Sequence, residues 1–260
     1  CSLLFCLVFS AVDAAARGTT VNTDAGAVEG ATKRGVISFK SIPYAAPPVG
    51  QLRWREPQPV AKWPGTRRAD VVGNACMQKP GVSAENGGEP GELSEDCLNL
   101  NVWTPTLSPS AKLPVIVWIH GGAYVFGSGS VPIYDGTAMA QKGAVFVSIN
   151  YRLGPLGFFA HPALDKGQSG GPYNFGMLDQ VAALKWVKAN IAKFGGDPAD
   201  VTLMGQSAGG KSVLWHFASP LSRGLFHKGI AESVYILPDA KLDKGREVSS
   251  KIASAVGLDG

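Results

Sequence analysis

The chain has 260 residues, 45% of them hydrophobic and 17% charged, with 24 Lys and Arg against 20 Asp and Glu. So large an apolar fraction at a net charge of only +4 excludes disordered and fibrous classes and suits one globular domain with a sizeable core. The basic residues are scattered, with no cluster denser than an adjacent pair such as Arg67 and Arg68, so there is no stripe suited to a phosphate backbone and nucleic acid is not an expected partner.

In chain order, residues 2–10 (SLLFCLVFS) form an apolar run that passes into the small residues of 11–16. The run is far shorter than the roughly 20 residues of a membrane helix. It reads as a secretory signal peptide cleaved near Ala16, with a buried strand as the alternative. The chain opens on Cys1, without an initiator Met or a basic leader. The expectation is therefore a partial signal over 1–16, a domain over 17–260, and a secreted or periplasmic protein with no membrane span in its mature chain. Short β-prone pieces at 21–23, 27–32 and 36–39 predict an antiparallel meander. Residues 42–64 carry Pro43, Pro47, Pro48, Pro57, Pro59 and Pro64 with Trp54 and Trp63 among them, which predicts an extended arm pinned by aromatic packing.

Loss of the signal would remove Cys1 and Cys6 and leave Cys76 and Cys97, 21 positions apart around a Gly/Glu-rich stretch. In an exported protein they invite one disulfide, whose loop closure stabilises by roughly 3 kcal/mol; two free buried thiols are the other reading. A strand is expected over 98–103. From Pro114 the pattern becomes strand, glycine turn, helix. Apolar runs at 115–119, 144–149 and 201–204 suit strands buried on both faces. Over 177–194, Leu184, Val187, Ile191 and Phe194 recur at helical spacing until Gly195 and Gly196 stop the helix. The fold class is α/β, with a mostly parallel sheet covered by helices on both faces.

Residues 201–219 (VTLMGQSAGGKSVLWHFAS) run strand, Gly205-Gln206-Ser207-Ala208-Gly209, helix. A serine between two glycines at such a junction is the pattern of a nucleophile elbow, where a tight turn exposes the hydroxyl and the helix N-terminus offers N–H groups to an oxyanion. Alone the motif also fits an inert strand–turn–helix junction. After the strand at 115–119 comes His120-Gly121-Gly122-Ala123-Tyr124, in the chain position of a loop that completes an oxyanion hole. Together the two elements point to a serine-hydrolase site. The histidines, His120, His161, His216 and His227, are isolated, and no metal-ligand spacing occurs; neither metal nor cofactor is expected.

Longer motifs accompany these: IPYAAPPVG (42–50), LRWREPQPVAKWPG (52–65), SEDCLNLNVWTP (94–105), VWIHGGAYVFGS (117–128), NYRLGPLGF (150–158) and the run from 175 to 210 ending in GQSAGG. On them the chain resembles the N-terminal half of a type B carboxylesterase, the family that includes the cholinesterases and cholinesterase-like adhesion proteins. The resemblance implies an α/β-hydrolase fold, Ser207 as nucleophile, an oxyanion hole made by the amides of Gly122, Ala123 and Ala208, and a Cys76–Cys97 disulfide. The family usually has Glu before the nucleophile and a third Gly at position 123; this chain has Gln206 and Ala123. The Cys76–Cys97 loop contains no Trp, Tyr or Phe to stack on a choline, which argues against a cholinesterase.

A serine nucleophile needs a carboxylate and then a histidine after it in this chain order. The histidines after Ser207 are His216 and His227, and the first acid is Glu232, so no such triad can be assembled within 260 residues. Both histidines are expected to be packing or surface residues, and the catalytic acid and histidine are expected beyond residue 260, in a chain truncated before its C-terminal half. The fragment alone would then be inactive. The expected activity is hydrolysis of small-molecule carboxylic esters. The rivals are a non-catalytic adhesion relative, which an intact Ser207 argues against, and a self-contained hydrolase using His216.

Overall fold

A computed structural model of the chain describes residues 19–81, 88–165, 173–234 and 241–258; the expected signal peptide lies outside the described residues. The strands are β1 (Thr20–Asn22), β2 (Ala27–Glu29), β3 (Ala31–Lys33), β4 (Val36–Pro43), β5 (Thr66–Arg68), β6 (Ala75–Cys76), β7 (Leu93–Ser94), β8 (Asn99–Thr104), β9 (Leu113–Ile119), β10 (Val145–Ile149), β11 (Gly196–Gln206) and β12 (Lys228–Glu232). The α-helices are α1 (Thr137–Gln141), α2 (Gly154–Gly157), α3 (Phe175–Asn190), α4 (Ala208–Ala218) and α5 (Leu242–Ala255).

Seven strands form the main sheet in the order β12-β11-β9-β10-β8-β4-β3. The pairs β12/β11, β11/β9 and β9/β10 are parallel, and β10/β8, β8/β4 and β4/β3 are antiparallel. The apolar runs read from the sequence thus become the parallel centre, with Val147 opposite Val117 and Val117 opposite Leu203. Alternation sorts their side chains. Val115, Val117, Ile119, Val147 and Leu203 join Leu184, Val187 and Ile191 of α3 and its extension in the larger core cluster. Trp118, Phe146 and Trp103 point to the opposite face, where Ala140 of α1 covers them. This period-two division accounts for strands with no polar face.

α3 ends at Asn190, passes into a 3-10 turn over Ile191–Phe194, and stops at Gly195 with φ 82°, the left-handed conformation in which glycine costs least. The expected meander divides. Ala27–Glu29 and Ala31–Lys33 are separate strands, the first in a small sheet with β1 and β5, the second on the edge of the main sheet. Gly30 lies between them, where an added Cβ would fall 2.5 Å from Ser38 O and 2.9 Å from Phe39, so the chain can cross from sheet to sheet only without a side chain. The proline-rich arm is irregular, apart from a 3-10 turn at Gly50–Leu52. Its tryptophans pin it as expected: Trp54 stacks on Phe159 with centroids 4.8 Å apart, and Trp63 Nε1 donates to Ala27 O at 2.9 Å. A disulfide joins Cys76 and Cys97. It fastens β6 next to the start of β8.

Candidate active site

β11 delivers Gln206 and then Ser207 to the C-terminal edge of the parallel strands, and α4 starts at Ala208. Ser207 adopts φ 56°, ψ −119°, a region that L-residues occupy only under constraint. Its N–H donates to Glu232 O at 2.9 Å at the end of β12, and its C=O accepts from Lys211 N–H at 2.9 Å. The flanking glycines have no alternative. A Cβ at Gly205 would lie 2.4 Å from Gly209 C and O, and one at Gly209 would lie 2.0 Å from Ile119 O. Strand and helix therefore meet backbone to backbone, and Ser207 at the turn between them is half-buried.

The loop after β9 lies beside it. Gly121 is so close that a Cβ there would sit 3.2 Å from Ser207 Cβ and 2.8 Å from Gln206 Oε1. Gly122, Ala123 and Tyr124 all have positive φ, at 107°, 53° and 64°. Their peptides are oriented by their carbonyls. His120 Nδ1 lies 2.8 Å from Gly121 O, and because a carbonyl only accepts, Nδ1 carries the proton. Gly122 O accepts from Val125 N–H and Phe126 N–H at 2.9 and 3.1 Å. In a trans peptide N–H and C=O point opposite ways, so the N–H groups of Gly122 and Ala123 are turned away from those partners. The Ala208 N–H is one of the free donors of the first turn of α4, at its positive end.

His120 is buried, stacked on Tyr151 with centroids 4.4 Å apart. Burial holds its pKa down at about 4, so it is a neutral donor at pH 7. His216 is equally buried, and its Nδ1 and Nε2 lie 2.7 Å from Ser222 Oγ and 2.9 Å from Gln180 Oε1. Burial lowers its pKa to about 4 too. Both ring nitrogens are engaged, in keeping with a packing residue. His227 Nδ1 accepts from Val201 N–H at 3.2 Å. Among the described residues no group of His, Cys, Asp and Glu could hold a metal ion. No helix there is long and apolar enough to cross a membrane.

Two features escaped sequence reasoning. One is the buried pair Arg152–Asp179, in which Nε and Nη2 donate to the two carboxylate oxygens at 2.8 and 2.7 Å, tying the segment after β10 to α3. The other is a polar chain from Tyr124 through Ser212 and Gln180 to His216. Only the placing of Asp179 and Gln180 among the apolar residues of the first half of α3 could have signalled either.

Residues 17–260 match the sequence profile of the Carboxylesterase family. The chain belongs to the carboxylesterase family. It is similar to a fumonisin B1 esterase of Sphingopyxis macrogoltabida (47% identity over 82% of this chain and 39% of the relative). It is also similar to a para-nitrobenzyl esterase of Bacillus subtilis strain 168 (48% identity over 82% of this chain and 43% of the relative). Among solved structures, a thermophilic PNB esterase superposes with a TM-score of 0.85 at 42% identity, over 93% of this chain and 49% of its own. The fold is accordingly that of the α/β-hydrolase esterases. The chain spans less than half the length of these relatives.

Proposed function

We propose that the protein is an exported serine carboxylesterase that hydrolyses small-molecule carboxylic esters through an acyl-enzyme on Ser207. The observation that carries the reading is the half-buried Ser207 at φ 56°, ψ −119°, in a backbone-tight elbow beside the loop that runs from Gly121 into Gly122 and Ala123. In the proposed reaction Ser207 Oγ attacks the acyl carbon while a histidine takes its proton. The amides of Gly122, Ala123 and Ala208 stabilise the oxyanion, and the tetrahedral intermediate collapses as the alcohol leaves with that proton. Water, deprotonated by the same histidine, then releases the acid and restores Ser207.

The histidine and its carboxylate are proposed to lie beyond residue 260. The engagement of both nitrogens of His216 by Ser222 and Gln180 supports this, as does the coverage of only 39–43% of the two esterase relatives. Export is supported by the apolar leader at 2–10 and by the Cys76–Cys97 disulfide, a bond of oxidising compartments. The test is hydrolysis of p-nitrophenyl butyrate by the protein expressed from its complete reading frame. Ser207→Ala should lower kcat by about 10⁴-fold or more with the circular dichroism unchanged. A folded variant that keeps its rate would exclude Ser207 as the nucleophile.

A further inference from the structure

We infer that the Tyr124 hydroxyl, held to Ser212 across the site, is a positioning group that fixes the distance between the loop amides of Gly122 and Ala123 and the helix amide of Ala208. The inference rests on the assignment of those amides to the oxyanion hole. The hole has two walls from separate parts of the chain, the loop after β9 and the first turn of α4. Transition-state stabilisation requires donors about 2.7–3.1 Å from the developing oxyanion, so something must set the gap between the two walls.

Tyr124 is the last of the three positive-φ residues. Its carbonyl accepts from Gly154 N–H at 2.7 Å, and its ring packs on Phe158 at a centroid distance of 5.2 Å. Its hydroxyl then reaches Ser212 Oγ at 3.2 Å. Ser212 is fully buried one turn into α4, where its Oγ donates to Ala208 O at 3.1 Å and accepts Gln180 Nε2 at 3.2 Å. With its proton given to Ala208 O, the Ser212 oxygen has two lone pairs, which accept Gln180 N–H and Tyr124 O–H.

Ser212 is itself immobilised from behind. Gln180 on α3 accepts His216 Nε2–H at 2.9 Å through Oε1, and His216 Nδ1 accepts Ser222 O–H at 2.7 Å. Each oxygen and nitrogen in the row from Tyr124 to Ser222 has a donor–acceptor assignment compatible with the next, which makes the row rigid. The loop wall is thereby hydrogen-bonded to the same serine that grips the residue carrying the helix-wall amide.

The test uses the protein from its complete reading frame, p-nitrophenyl butyrate as substrate, and a trifluoromethyl ketone as transition-state mimic. Ser207 Oγ adds to the ketone carbon as its proton passes to the histidine and the carbonyl electron pair moves onto oxygen, so the adduct presents an oxyanion to the hole. Tyr124→Phe keeps the ring and removes the hydroxyl. We expect kcat to fall about five- to tenfold, the order of one hydrogen bond's contribution, with KM within a factor of about two and ketone affinity weakened in step with kcat. Ser212→Ala should do the same, Ser212→Thr should largely restore the rate, and the double variant should be no worse than either single one. Unchanged kcat and ketone affinity in Tyr124→Phe, whatever its Tm, would overturn the inference, as would losses that multiply in the double variant. A wild-type protein without esterase activity would overturn the Ser207 reading, and this inference with it.

Discussion

Gly209 has no room for a methyl group, because the nearest atom is the carbonyl oxygen of Ile119 at 2.0 Å from where a Cβ would lie. Backbone cannot rotate away as a side chain can, so Gly209→Ala should cost about 1–3 kcal/mol, read as a lowered urea midpoint, and should displace Ser207. Gln206 is a second residue whose identity matters. A carboxylate there would stand beside the loop after β9, since Gln206 Oε1 comes within 2.8 Å of the Cβ position at Gly121. Gln206→Glu should raise kcat/KM for butyrylthiocholine relative to p-nitrophenyl butyrate by about fivefold, as expected for one added charge in a partly solvated site; an unchanged ratio would show that the charge is not sensed. His216 gives a pH prediction. Its folded pKa of about 4 lies below the usual 6.5 of an exposed imidazole, so between those values the unfolded chain binds the extra proton. Stability therefore rises with pH across that window and is lost as pH falls from 6.5 toward 4, by roughly 3 kcal/mol. His120, held down to about 4 in the same way, contributes over the same window, so His216→Gln should reduce the slope of that part of the pH–stability curve by about half.

At the level of elements, the disulfide ties β6 to the start of β8. Cys97→Ser should lower stability by roughly 3 kcal/mol, measured by chemical denaturation against the wild type. The strands β9, β10 and the second half of β11, with α3 and the elbow, were legible in the sequence because each carries a local signal: an apolar run, a 3.6-residue period, glycines around a serine; the exposed parallel strand β12 carries no such run and was not. What was not legible depended on distant partners. The run at 27–32 reads as one strand until Ser38 and Phe39 arrive against Gly30. Tyr124 reads as part of a glycine loop, and its bond to Ser212, 88 positions away, leaves no mark in either segment. The close approach of Gly121 to Ser207 follows from β9 and β11 being neighbours, which sequence order alone does not reveal.

Over the whole molecule, the sheet is closed on the β3 side by a short edge strand but open at β12, whose residues are all exposed. Ile230 there and Leu214 and Phe217 on α4 leave large apolar side chains in solvent, Phe217 at 59% exposure. Such a surface calls for cover. The 260-residue polypeptide expressed alone should bind the dye ANS more strongly than the protein from the complete reading frame; equal binding would mean that no further chain packs on this side. The proposed chemistry forms a covalent bond at one oxygen. The most direct measurement is mass spectrometry of the protein from the complete reading frame after treatment with a fluorophosphonate, followed by peptide mapping. The prediction is one phosphonyl adduct, carried by Ser207 and absent from Ser207→Ala. Failure of the folded, wild-type protein to take up the reagent, or an adduct on any other residue, would contradict it.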